Sequence, residues 1–337
     1  MSRYASAHAR PHGAGDAGPT AAQIVLDESL EGKLVDKVIV ITGATSGIGI
    51  ETAQALAATG ATLILTVRDA ARARANLASL LETNSTRVWL VEMDNTSFAS
   101  VRAAAANILG KSNGQINVMV NNAGVMGVEP LTLTMDGHEV HFATNHLSHF
   151  LLFQLLKPAL LSSSTPEFQS RVVMVSSSAH RACNLSESDN YNFQKGEYNF
   201  GIAYAMSKLA NIYMANELDR RYGHLGLHAT SLHPGAVNTK LSTHLGPEFV
   251  ERILANEELL KVIKSSEQGA GTTVLAAIGK EWEGKGGKYL EDCEEAKRGV
   301  DDEDMFGTGY VSQTYDAETE RRLWEDSLHM VGVKADP

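Results

Sequence analysis

A tyrosine and a lysine four residues apart on a helix share one face, which sets a phenol beside an ammonium. Two such pairs occur, Tyr191/Lys195 and Tyr204/Lys208. The first lies in a polar run, NYNFQKGEYN, that reads as loop. The second lies in AYAMSKLANIYMANEL, an Ala-rich helical segment whose apolar face is Met206, Leu209, Ala210 and Tyr213. A free tyrosine titrates near ~10, too high for ready proton exchange at neutral pH. A neighbouring ammonium favours the phenolate and is expected to draw that value down. Tyr204 is then suited to give a proton to a carbonyl oxygen as hydride reaches its carbon, or to take it back in oxidation.

Hydride chemistry needs a carrier, and a second motif supplies a place for one. The apolar strand Val38–Thr42 runs into Gly43-Ala44-Thr45-Ser46-Gly47-Ile48-Gly49 and then into a helix ending near Thr59. Glycines let the backbone turn sharply and let a pyrophosphate approach main-chain N–H groups. The helix that follows offers unpaired N–H groups and the positive end of its dipole, and Thr45 and Ser46 add hydroxyls. The next strand, Thr62–Val67, ends in Arg68 rather than in the acid that binds an adenine ribose with two free hydroxyls. A guanidinium there suits a 2′-phosphate, so NADP(H) is expected over NAD(H). Asp69 is read as a helix cap. Asp94, closing a third strand with Asn95 after it, is placed either to contact the adenine or to cap the next helix, and Asn122, Ala123 and Gly124, in NNAG after the fourth strand, form the floor of the site. A serine run, Ser176-Ser177-Ser178, ends the fifth strand and can bind a substrate oxygen.

Those residues sit on an alternation of β-branched runs and helical stretches. Strands are expected at Val38–Thr42, Thr62–Val67, Arg87–Met93, Val118–Val120, Arg171–Ser176 and His228–Leu232. Helices are expected at Gly49–Thr59, Ala70–Leu81, Phe98–Leu109, Met135–Leu161 and Ala203–Arg221. Fully apolar strands alternating with helices imply a doubly wound parallel sheet covered on both faces, an α/β fold in one domain over 23–337. Residues 1–22, rich in Ala, Gly, His and Pro, read as a disordered tail. Residues 240–268, helical over Phe249–Ile263, read as a lid over the substrate.

Composition narrows the partners. With 337 residues and 43% hydrophobic content, one large core is affordable, and a net charge of −11 argues against nucleic acid. Eight acids against Lys297 and Arg298 in 291–304 read as a solvated excursion. Two distant cysteines, Cys183 and Cys293, indicate a reducing compartment. No apolar run is long enough to span a bilayer, and no signal peptide is visible. A cytoplasmic enzyme with a small-molecule substrate, as a homodimer or homotetramer, fits these features. His141, His146 and His149 fall in an apolar helix without supporting carboxylates or thiols, so no metal is expected.

From about Leu34 to Tyr289 the chain resembles the short-chain dehydrogenase/reductases. The matching pieces are TGATSGIG (42–49), NNAG (121–124), NHLSHF (145–150), VSSSAH (175–180), YAMSK (204–208) and HPGAVNT (233–239). NHLSHF and EGKGGKYLEDC are similar to the retinol-dehydrogenase-like branch. The resemblance implies a Rossmann-like fold, Tyr204 as acid/base, Lys208 on the nicotinamide ribose, Ser177 orienting substrate, and Asn145 holding a water in a relay behind Lys208. It further implies cofactor contacts from Asn121, Val237 and Thr239, with Pro234-Gly235 shaping the loop over the nicotinamide. The spacing of 27 residues between Ser177 and Tyr204 is longer than is usual in the family. The expected activity is reduction of a medium-sized lipophilic carbonyl compound, or the reverse. Two other readings of the same fold stay open: a non-redox cyclase or dehydratase, and a cofactor-bound interaction protein.

Overall fold

The computed structural model describes residues 3–186, 189–237, 239, 241 and 255–334. Six strands carry the frame: β1 (Val38–Thr42), β2 (Thr62–Val67), β3 (Val88–Glu92), β4 (Val118–Asn121), β5 (Ser170–Val175) and β6 (Leu227–His233). Two short strands follow, β7 (Ala236–Val237) and β8 (Ile263–Lys264), then β9 (Lys288–Glu291) and β10 (Glu294–Glu295). The main sheet runs β10-β9-β6-β5-β4-β1-β2-β3, with every neighbouring pair parallel except β9 and β10. Between β4 and β1 the strand order reverses, which opens a crevice at the C-terminal edge where such sheets hold ligands.

Strand alternation builds two cores. Val40, Ile64, Met119, Val172 and Met174 face one side, and Ile39, Ile41, Leu63, Val120, Val173 and Val175 face the other. Helices α1 (Ala21–Asp27), α2 (Gly47–Ala58) and α8 (Gly271–Ile278) lie on the second side. On the first side lie α5 (Phe98–Lys111), α6 (Ser148–Ser163), α7 (Phe200–Tyr222) and α9 (Ala317–Met330). The expected helix over 70–81 is two, α3 (Ala70–Asn76) and α4 (Ala78–Thr83), broken at Leu77. Asn199 caps α7 by accepting from the Ile202 amide, and Ala203–Leu218 is buried along its length. The far side of α7 is covered by Leu323, Trp324 and Leu328 of α9, with Trp324 edge-on to Phe150 at 4.9 Å. This arrangement fixes Tyr204 and Lys208 on a rigid element.

Two expectations are modified. The N-terminal segment is not a free tail where it is described. Tyr4 is only 7% exposed and its hydroxyl donates to Asp27 Oδ2 at 2.9 Å, and Gly13 N donates to Lys261 O at 2.7 Å. Long-range hydrogen bonds order a segment that has no periodicity of its own. The acidic excursion is also anchored: Arg181, 2% exposed, donates to the carbonyls of Val300, Asp304, Thr308 and Gly309 and to Asp302 Oδ1. Of the lid expected over 240–268, residue 240 and residues 242–254 lie outside the described residues. The remainder forms the helix Glu257–Val262 and β8, whose Ile263 and Lys264 pair with Ala236 and Val237. Among the described residues, no helix is long and apolar enough to cross a membrane.

Candidate active site

The glycine loop takes its shape from contacts that exclude a side chain. A Cβ on Gly43 (φ +68°) would sit 2.8 Å from Ala123 Cα, and one on Gly49 would sit 2.3 Å from Gly43 O. The turn therefore brings β1 and the NNAG segment together, and α2 starts at Gly47 with no side-chain cap on its first turn. Gly47, Ile48 and Gly49 of that first turn line a cleft of about 660 Å³, within the usual range for ligand sites. The donor set and the tight glycine cradle fit a dinucleotide pyrophosphate.

The cleft gathers nearly every residue singled out in the sequence. Gly43, Thr45, Ser46, Gly47, Ile48 and Gly49 line one end together with Arg68, Asp94 and Asn95. Ala123 and Gly124 form the floor, and Ser177, Tyr204 and Lys208 line the cleft with Pro234, Gly235 and Val237, while Thr239 packs against the glycine loop, where a Cβ on Gly47 would sit 3.0 Å from Thr239 Cγ2. Asp69 is the expected cap, accepting from Arg72 N at 3.0 Å. Asp94 Oδ1 is engaged by the Thr96 amide and hydroxyl at 2.9 and 2.8 Å.

Two residues stand elsewhere. Asn121 is fully buried at the end of β4, its Nδ2 on Met174 Sδ, and does not line the cleft; its neighbour Asn122 does. Successive residues point oppositely on extended chain, so only one of the two asparagines faces the crevice. Asn145 lies behind the wall within a π-helical turn, Ala143–Leu147. Its side chain accepts from Val125 N at 2.8 Å and donates to Val125 O and Ser207 Oγ at 3.0 and 2.9 Å. Its carbonyl accepts from His149 Nδ1 at 2.9 Å.

His149 was read only as a helix histidine, yet it ties the site together. Thr42 Oγ1 accepts from both Asn122 N and Ala123 N at 3.0 Å, which uses its lone pairs. Its single proton therefore goes to His149 Nε2 at 2.9 Å, leaving the other ring proton on Nδ1 for Asn145 O. Complete burial holds this imidazole neutral, its pKa lowered to about 4. His146 instead bonds Ser327 Oγ, and His141 bonds Glu139, so the three histidines diverge. Arg72, Thr144 and His233 also line the cleft. Arg72 could have been found from its spacing of four from Arg68. The Thr144 hydroxyl is buried without a partner among the described residues, and His233 Nδ1 accepts from Ser178 N at 3.2 Å, bracing the serine run.

At the reacting end, Lys208 Nζ donates to Val175 O at 3.1 Å and lies 5.5 Å from the Tyr204 ring centre. Burial pulls the ammonium down to about 8. Tyr204 departs from the expected fall: burial raises it to about 12, opposed by its hydrogen bond with Ser177. Removing a phenolate from water outweighs the effect expected of the lysine, because Lys208 is itself desolvated and aimed at a carbonyl. The phenol thus keeps its proton at neutral pH.

A family model described as short chain dehydrogenase matches residues 37–248, which takes in the glycine loop, Ser177, Tyr204 and Lys208. The chain belongs to the short-chain dehydrogenase family. Relatives span nearly its whole length. The short-chain dehydrogenase/reductase prx1 of Penicillium roqueforti is 48% identical, covering 98% of this chain and 95% of that protein. Human retinol dehydrogenase 12 is 33% identical over 90% of this chain and 88% of its own length. A crystal structure from Mycobacterium paratuberculosis superposes with a TM-score of 0.69 at 30% identity, covering 95% of this chain and 100% of that one. The NADPH-bound carbonyl reductase from chicken fatty liver has the same fold, with a TM-score of 0.55 at 23% identity, covering 77% and 97%. The chain is accordingly an oxidoreductase of this family, with a site for a nicotinamide cofactor.

Proposed function

We propose that this oxidoreductase uses NADP(H) to interconvert a medium-sized lipophilic ketone or aldehyde and its alcohol, with Tyr204 as the acid/base. The observation that carries the reading is the meeting of Ser177, Tyr204 and Lys208 at one end of a cleft whose other end is an uncapped glycine-loop helix beside Arg68 and Arg72. The cofactor, when bound, supplies the hydride; Gly43, Gly47 and Gly49 would hold its pyrophosphate. Arg68 would pair with the 2′-phosphate, and Val237 and Thr239 would border the nicotinamide. Asp94 and Asn95 would border the adenine.

The protein's own part is positioning and proton transfer. Ser177 Oγ, held by the Ala179 amide at 3.2 Å, hydrogen-bonds the substrate oxygen. Tyr204, protonated at neutral pH, donates to that oxygen as the carbonyl is reduced. Lys208 places its charge beneath the ring and steadies the phenolate that forms. Asn145 acts as a positioning residue, tying Val125 to Ser207, the residue before Lys208. The retinol dehydrogenase relatives support a lipophilic carbonyl or alcohol substrate. A panel of aromatic and terpenoid ketones and aldehydes, followed by NADPH absorbance, tests the reading. Substrate-dependent NADPH loss is expected; a purified protein that binds neither nucleotide would overturn it.

A further inference from the structure

The N-terminal segment carries contacts that no family motif accounts for, since it lies outside the matched residues 37–248. Its hydrogen bonds converge on one side chain. Gln268, 4% exposed, accepts from Gly15 N at 2.8 Å through Oε1 and donates through Nε2 to Asp16 Oδ1 at 2.9 Å and Gly18 O at 3.1 Å. The same Oε1 accepts from Ser265 N at 3.1 Å, closing a capping box on the short helix Ser266–Gly269. All of the polar capacity of this buried amide is thus spent on joining the segment to the chain just after β8.

The residue after Gln268 touches the cofactor cleft from behind. A Cβ on Gly269 would sit 2.5 Å from Val237 Cγ2 and 3.3 Å from Ile48 Cγ1. Gly269 is therefore wedged between β7, on the nicotinamide side, and the glycine loop. The other end of the segment reaches the same wall by a second route. His8 Nδ1 lies 3.7 Å from Asp292 Oδ1, which also binds Lys264 Nζ. The Lys264 stem in turn underlies Gly235, where a Cβ would sit 2.7 Å from Lys264 Cδ. Val237 and Gly235 are each backed by an element that the N-terminal segment holds in place.

We propose that Gln268 is a positioning residue through which residues 8–18 strap the nicotinamide-side wall, so that the strap governs retention of the nicotinamide half of the dinucleotide. The inference rests on the NADP(H) reading above. It separates the two halves of the ligand: the adenosine end would meet Arg68, Asp94 and Asn95, none of which, among the described residues, hydrogen-bonds or ion-pairs with residues 8–18, whereas the nicotinamide end would meet Gly235 and Val237. A merely structural strap would weaken both halves together.

The test compares NADPH with adenosine 2′,5′-bisphosphate, which fills the adenosine end alone, by titration calorimetry on the full chain. Gln268→Leu keeps the side chain's bulk and removes its side-chain hydrogen bonds, and Asp16→Ala releases the strap at a more exposed point should the first variant fold poorly. Both variants are expected to bind NADPH about tenfold more weakly, the order of one buried hydrogen-bonded contact. Each should bind the bisphosphate as the parent does. Equal weakening of both ligands, or unchanged NADPH binding in Asp16→Ala, would overturn the strap. A parent protein that binds the bisphosphate but not NADPH would instead count against the nicotinamide reading itself.

Discussion

Substituting Arg68 and Arg72 tests the assignment of the 2′-phosphate end. Both guanidiniums line the cleft and, among the described residues, neither forms a salt bridge with a carboxylate, so both are available to a phosphate. A charge-assisted hydrogen bond contributes about 1.5–3 kcal/mol when sheltered. Arg68 is exposed at the end of β2, and solvent screening brings the figure toward about 1.4 kcal/mol. That is roughly tenfold in affinity per arginine. Arg68→Ala and Arg72→Ala should each raise the NADPH dissociation constant by about tenfold, and the double variant by about a hundredfold. NADH, which lacks the phosphate, should shift by less than about twofold. Fluorescence titration of both nucleotides at low and high salt reads the effect, and added salt should weaken the parent's NADPH binding more than the double variant's. Equal losses for NADPH and NADH would refute the reasoning.

Other outcomes follow from the buried groups. Thr42→Val leaves the Asn122 and Ala123 amides and His149 Nε2 without their shared partner; NADPH binding should weaken by about tenfold and Thr42→Ser should restore it, as titration of both variants would show. Reduction should be level below about pH 8 and decline above it as Lys208 loses its proton, while Tyr204, near 12, stays protonated. A pH–rate profile with no alkaline limb near that value would contradict the role given to the lysine. His146, His149, His180 and His233 have pKa values lowered to about 3, 4, 4 and 3 by burial, against 6.5 unfolded. Below the unfolded value the unfolded chain binds more protons, so stability falls as pH drops, by up to about 1.4 kcal/mol per pH unit for each histidine. Urea melts at pH 7 and pH 5 should separate clearly; coincident midpoints would show that these rings are not held neutral.

The residues that touch the cofactor cleft were readable because their signals are local. Val38–Thr42 followed by three glycines, and Tyr204 four residues before Lys208, declare a strand–turn–helix and a helix face from short stretches. What was not readable depends on partners far along the chain. The N-terminal segment is ordered by Gln268, some 250 residues away, and β7 and β8 are two-residue strands that exist only by pairing with each other. His149 gave no sign of bridging Thr42 and Asn145, since its spacing is that of any helix residue. Asn122 was legible as part of the floor, whereas Asn121, taken from the resemblance, is turned away from the cleft at the end of β4. The rise in the Tyr204 pKa came from the depth of its burial, a quantity that the Tyr–Lys spacing does not encode.

The central claim is that Tyr204 supplies the proton as hydride reaches a substrate carbonyl. Single-turnover oxidation of NADPH carrying deuterium at its reactive carbon, with a reducible ketone from the panel, compares the parent with Tyr204→Phe. The account predicts one deuterium in the product alcohol, a rate loss of about 10²–10⁴ in the variant, and an unchanged NADPH dissociation constant. A variant that turns over at the parent's rate, or a product that carries no deuterium, would contradict it.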